Sequence, residues 1–354
     1  MRIPVVLCIL LSLVLIAGGP PATAQGPTDP PQITAETADQ LTLRQTIGGD
    51  ERRYYRHELS PDGSSVMYQV QDADWNLVGL SLFDTYTGEE RLVLLAEELS
   101  EEPPSAINPI PVFSPDNTSF LVMVAPFTDD PGEIIVFGTD GGAELRRFPT
   151  QRRAGGPVYA LDGSVLVIDY MDVETYDDAL VALDAASGEI LGETPLPGPS
   201  SWLCAQGDAV AYNTFDGDVV VRIERDEAGG VSFSEPVYAS AQHGFGYYAF
   251  APDGSAFTII DRDAGEIRLY SALDGTLQAA VPVSVPADTS IGDAYSNGEL
   301  VVVSLGSTVR VYDLEGTLLV ELEKQYGGRF CRIDAANTTL MCSGEKGGEF
   351  WGVE

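Results

Sequence analysis

Three stretches decide the fold: Leu59-Ser60-Pro61-Asp62-Gly63, Phe113-Ser114-Pro115-Asp116-Asn117 and Phe250-Ala251-Pro252-Asp253-Gly254. Each is a hairpin turn in residue chemistry. Proline presets φ, aspartate bonds its own backbone, and glycine or asparagine accepts a positive φ. Degenerate copies are Tyr159–Gly163, Leu203–Gly207, Ala294–Gly298 and Ile333–Asn337. The last residues of the seven copies fall at 63, 117, 163, 207, 254, 298 and 337, so the spacings run from 39 to 54 residues. That is the period of a four-stranded propeller blade.

The flanks keep the same register. Four residues before the anchor stand Leu59, Phe113, Tyr159, Leu203, Phe250, Ala294 and Ile333. Three after it stand Val66, Phe120, Leu166, Val210, Phe257, Val301 and Leu340. Five after it stand Tyr68, Val122, Ile168, Tyr212, Ile259, Val303 and Cys342. Every member of the three columns is apolar, and the last two columns share one strand face. A third strand then ends in an Asp/Gly turn, as at Asp84–Gly88 and Asp184–Gly188, and a fourth leads to the next copy. The expected fold is all-β, a seven-bladed propeller of four-stranded antiparallel blades. The seventh copy lacks a fourth strand, and Leu41–Ile47 can supply it. The last blade is therefore closed by the N-terminal strand, with no sheet edge left open.

The rest of the chain sets the compartment. Arg2, the apolar run Val5–Ala17 and Ala22-Thr23-Ala24 form a signal peptide over residues 1–24, cleaved after Ala24. Residues 25–39, rich in Pro, Thr and Asp, read as a flexible leader, and 40–354 as the propeller. The protein is expected to be secreted or held in the cell envelope as a monomer with no membrane span. Its net charge is −35, with 54 acidic against 19 basic residues, which argues against nucleic acid as a ligand. Cys331 and Cys342 stand six before and five after their anchor, opposed across a hairpin, and an exported chain would oxidise them to a disulfide.

The Ser-Pro-Asp-Gly turns, with Asp84-Thr85-Tyr86-Thr87-Gly88-Glu89 after the third strand of the first copy, resemble the YVTN and TolB-type propeller repeats of exported bacterial proteins over residues 41–354. The first copy is also similar to the propeller of prolyl-oligopeptidase-type enzymes, without a hydrolase domain after it. The Gly-His and Trp-Asp dipeptides of the WD-repeat family do not recur. The resemblance implies a fold, since such propellers serve lactonases, dehydrogenases and scaffolds alike.

Candidate chemistry is sparse. The chain has two histidines, His57 and His243, and no nucleophile elbow, metalloprotease motif, phosphate loop or Cys-x-x-Cys. No cofactor or metal is implied. Acidic pairs such as Asp72/Asp74 and Asp261/Asp263 read as turn residues, because they lack the glycine and closing glutamate of a calcium loop. The loops entering the innermost strands stand out. Gly48–Arg56 holds Arg52, Arg53, Tyr54, Tyr55 and Arg56, and the next ones hold Arg152 and Arg153, then His243, Tyr247 and Tyr248, then Lys324, Tyr326 and Arg329. Arginine and tyrosine converging on the axis suit carboxylates, phosphates or sugar rings. The expected function is a non-enzymatic binding or scaffold propeller engaging a protein, peptide or acidic saccharide at its axial face. The alternative is a lactonase-type hydrolase using the central funnel, His243 and a divalent metal.

Overall fold

The computed structural model describes residues 31–49, 52–99, 107–126, 131–150, 153–171, 178–198, 200, 202–285 and 289–353, with 107–108, 125–126, 153, 171 and 246–248 described at the backbone alone. These residues form a seven-bladed β-propeller of antiparallel sheets. Blade 1 runs outward from the axis as Arg53–Leu59, Ser65–Gln71, Leu77–Asp84 and Glu90–Leu95. The next five blades repeat this order. Blade 7 is composite: Phe330–Ile333, Leu340–Gly344 and Gly347–Val353 come from the C-terminal end, and Leu41–Gly48 is its outermost strand.

The turn chemistry produces the expected backbone. All seven anchor residues have φ between 58° and 94°, and the two that are not glycine are Asn117 and Asn337, the residue type that best tolerates this region. In blade 1 the Ser60 hydroxyl donates to Asp62 at 2.7 Å and accepts from the Ser65 amide at 2.9 Å, so one side chain ties both ends of the turn. Ser114 repeats both bonds in blade 2.

The apolar columns become the core. The residues three after the anchor are all fully buried, from Val66 to Leu340. They fall into seven clusters among the described residues, one at each junction of neighbouring blades. At the ring closure Ile47, Met341 and Phe350 of blade 7 pack against Tyr54, Tyr68 and Phe83 of blade 1. Packing starts earlier than the polar composition of the leader suggests. Ile33 and Ala38 are fully buried in the cluster between blades 6 and 7, because each is an apolar side chain in a stretch that runs along that junction. Cys331 and Cys342 are paired directly across their hairpin and form the disulfide, with Cα atoms 4.1 Å apart.

Candidate functional site

Each inner strand ends at its anchor turn, so the starts of the inner strands lie together on the opposite face. The inner strands surround an axial channel of 1210 Å³ to which every blade contributes, among them Tyr55, Ile110, Gly155, Trp202, Phe250, Tyr295 and Arg332. That volume would hold a drug-sized or peptide-sized group.

Of the basic and aromatic loop residues singled out in the sequence, Tyr54, Tyr55, Arg56, Tyr326 and Arg329 line this channel. Tyr54 gives most of its ring to the core, edge-on to Tyr68 at 5.1 Å, whereas Tyr55 is 47% exposed. Four others are held elsewhere, which corrects the expectation that they converge on the axis. Arg52 pairs with Glu90 at 3.0 Å. Arg53 lies over the Trp75 ring at 3.9 Å and 3.7 Å from Glu345. The Lys324 ammonium is buried, donating to Ser304 Oγ at 2.7 Å and to the Gly328 carbonyl, and burial lowers its pKa to about 8. His243 stands 3.5 Å from the buried Asp218, whose carboxylate also accepts the Phe245 amide at 2.9 Å. In each case a nearby group captured the donor. Arg152 lies outside the described residues, and Arg153, Tyr247 and Tyr248 are described at the backbone alone.

The residue that the sequence reading undervalued is Arg56. Its φ is 39°, rare for a side chain of this size. It sits at a β-bulge, where the register of the first hairpin slips between Tyr55 and His57. Such a bulge re-aims a side chain, and Arg56 lines the channel. Its Nε is sealed from solvent without a hydrogen-bond partner, and its guanidinium carbon stands 5.9 Å from the Tyr55 ring. The signal was present as a phase break: Tyr54, His57 and Leu59 are all buried, and strict alternation cannot bury both 54 and 57.

Deeper in the channel the Arg332 guanidinium reaches Glu58 at 3.3 Å and donates to the Leu59 carbonyl. Burial pushes the Glu58 carboxyl up, against the pull of Arg332. Burial, aided by Arg332, holds His57 down to about 3, so this imidazole is neutral at working pH. Burial pushes the Cys204 thiol up to about 11, so it stays protonated near neutral pH. Asp169 on the second strand of blade 3 also lines the channel, and burial pushes its carboxyl up to about 7. Among the described residues no three His, Cys, Asp or Glu side chains converge as metal ligands. The acidic loops are occupied with their own turns, Asp72 accepting the Asp74 and Asn76 amides at 2.9 Å each.

No family model matches the chain, and no curated protein matches it in sequence. Solved structures match it in shape. A chain of the mitotic checkpoint complex superposes with TM-score 0.60 at 12% identity, covering 98% of this chain and 100% of that one. The β-propeller domain of Myceliophteria thermophila Cps50 (Swd1) gives TM-score 0.60 at 12% identity, covering 89% of this chain and 100% of the domain. Likeness at such identity is one of fold, WD40-like in outline. Among the described residues no helix is long and apolar enough to cross a membrane.

Proposed function

We propose that this chain is an exported binding propeller whose axial channel takes an anionic group carried on a protein, peptide or acidic saccharide. The observation that carries the reading is Arg56, held in a left-handed conformation at a bulge, with its side chain in the channel and no carboxylate paired to it among the described residues. Backbone strain of this kind costs roughly 1–3 kcal/mol and persists where the side chain has a use. Arg329 at the same mouth and the exposed Tyr55 ring supply a second cation and a stacking face. Export is supported by the N-terminal apolar segment and by the Cys331–Cys342 disulfide. A scaffold role is supported by the company of the fold, since one structural neighbour is a chain of an assembly of proteins. The YVTN/TolB-type repeats named from the turns fit the same reading. The hydrolase alternative leaned on His243, which stands 3.5 Å from the buried Asp218.

The test is thermal unfolding of the protein with oligoglutamate, oligogalacturonate and citrate at fixed ionic strength. An anion that binds the folded state raises Tm, by an amount that shrinks as salt rises. The double substitution Arg56→Ala, Arg329→Ala is expected to weaken binding about 10- to 100-fold, the scale of one or two charge-assisted hydrogen bonds. If the shift survives the double substitution, the anion sits elsewhere and the reading fails.

A further inference from the structure

The turn between the second and third strands of blade 1, Asp72-Ala73-Asp74-Trp75-Asn76, places an unusual residue at its tip. Trp75 has a φ of 67°, a left-handed conformation that turns give to glycine or asparagine and that a bulky side chain adopts at a cost. Asparagine stands one position too late, at 76. The turn is fixed all the same. Asp72 Oδ1 accepts the Asp74 and Asn76 amides at 2.9 Å each, and the Asp72 carbonyl accepts the Trp75 amide at 3.1 Å. The Asp72 amide donates in turn to the Asn76 carbonyl at 2.9 Å. What the strained backbone yields is display: Trp75 is 52% exposed, whereas Trp202 is half-buried and Trp351 buried.

The ring is also braced. The Arg53 guanidinium lies over the indole at 3.9 Å, and Arg53 Nη1 stands 3.7 Å from Glu345 of the neighbouring blade 7. A guanidinium at that distance covers one face of an indole, and the exposure of Trp75 lies on the rest of the ring. Arg53 opens the inner strand opposite Gln71, the last residue of the second strand, so Trp75 stands on the same face of the propeller as the channel mouth. Glu345 and the exposed Tyr55 both line that mouth. The rim of blade 1 thus carries a rigid aromatic surface beside Arg53, one side chain away from the channel wall.

We propose that Trp75 is the stacking platform for a pyranose ring of an acidic saccharide, whose neighbouring units reach into the channel mouth toward Arg56. The axial C–H bonds of a sugar ring carry a small positive charge and meet the negative face of the indole, while its hydroxyls stay in water. Arg53 on the other face makes the platform a poor seat for a second cation and a good one for a ring bearing a carboxylate. A nucleobase would stack as well, but its phosphate chain is repelled by a molecule of net charge −35. An apolar peptide side chain needs a pocket to fill, and Trp75 stands on a turn tip. The acidic character of the saccharide rests on the anionic reading of the channel, and the platform itself does not.

The experiment is calorimetric titration of trigalacturonate, triglutamate and citrate into the full chain near neutral pH at constant ionic strength. Trp75→Gly is expected to weaken trigalacturonate binding about tenfold and to leave citrate binding unchanged, with Trp75→Phe falling between it and the wild type. Glycine adopts a φ of 67° without cost, so Trp75→Gly is expected to keep or raise Tm, and its lost binding is then not lost folding. Equal trigalacturonate affinity in wild type and Trp75→Gly, or no binding by the wild type, overturns the proposal. So does a fall of several degrees in the Tm of Trp75→Gly, which would make the ring a packing residue. An equal loss for triglutamate overturns the saccharide assignment in favour of a peptide. The double substitution Arg56→Ala, Arg329→Ala separates the two readings. If it leaves every anion bound as before while Trp75→Gly still weakens the saccharide, the anion site fails and the platform stands, and the reverse pattern overturns the platform alone.

Discussion

Asp169 is a residue whose burial ties stability to pH. Its folded pKa lies near 7 against 3.8 for the exposed group, so the folded state holds a proton that the unfolded chain has lost. By linkage, this residue's contribution to stability is fully present below about pH 4 and declines as pH rises through 7. Asn, which carries no charge, escapes that loss. Asp169→Asn is therefore expected to raise Tm by several degrees at pH 8.5, corresponding to about 2–4 kcal/mol, and to have little effect at pH 4. Differential scanning calorimetry across that range checks it, and an unchanged difference between the two pH values would contradict it. Arg56 departs from local rules, since its backbone is strained and its Nε is unpartnered in the folded channel. Natural proteins break local rules most often where a site needs them broken.

Among the elements, the hairpins of the inner strands are self-contained. Each has its own left-handed anchor, and in blades 1 and 2 a serine bonded to both sides of the turn. Blade 7 differs because its outermost strand arrives from the far end of the chain, and its inner hairpin carries the disulfide. The bridged residues are 11 apart, a loop whose closure removes roughly 3 kcal/mol of unfolded-state entropy. Replacing both cysteines by alanine is expected to lower Tm by several degrees. Hydrogen exchange should show protection lost first in Phe330–Gly344. Equal Tm values for the bridged and substituted proteins would show that the hairpin does not limit stability.

For the whole molecule, closure is the decisive interaction. Ring stability passes from blade to blade through apolar clusters, and the junctions of blade 7 need Leu41–Gly48 and the segment before it. Deleting residues 1–48 exposes the edge of Gly347–Val353 and removes the buried Ile33, Ala38, Leu41 and Ile47. At ~1.5–3 kcal/mol for each large apolar side chain, the loss approaches the 5–15 kcal/mol that holds an ordinary domain folded. The truncated chain is expected to unfold or aggregate through the open edge, which circular dichroism and size-exclusion chromatography would show. A folded monomer after truncation would contradict this account. In a chain of net charge −35, the described channel wall is balanced in charge, with Arg56, Arg329, Arg332 and Lys346 beside Glu58, Asp169, Asp334 and Glu345.

The sequence by itself determined the architecture. Turn residues and apolar columns are local signals, each set by the backbone preference or burial of a few neighbouring positions, and repetition made weak signals add. Closure by Leu41–Ile47 followed from counting strands, and the Cys331–Cys342 pair from register. The site was only half legible. Tyr55, Arg56, Tyr326 and Arg329 reach the channel, but Arg52, His243 and Lys324 pair with groups on nearby strands and loops, and Arg53 with Trp75 and Glu345. Which acceptor captures a long cationic side chain depends on distances between neighbouring strands and loops, and those exist only once the chain is folded. Arg56 and Asp169 gained their places in the channel wall in the same way, one from a slipped register and the other from a glycine that leaves room for a second-strand carboxyl. Periodicity fixes which face a residue occupies, and tertiary packing alone decides what it finds there.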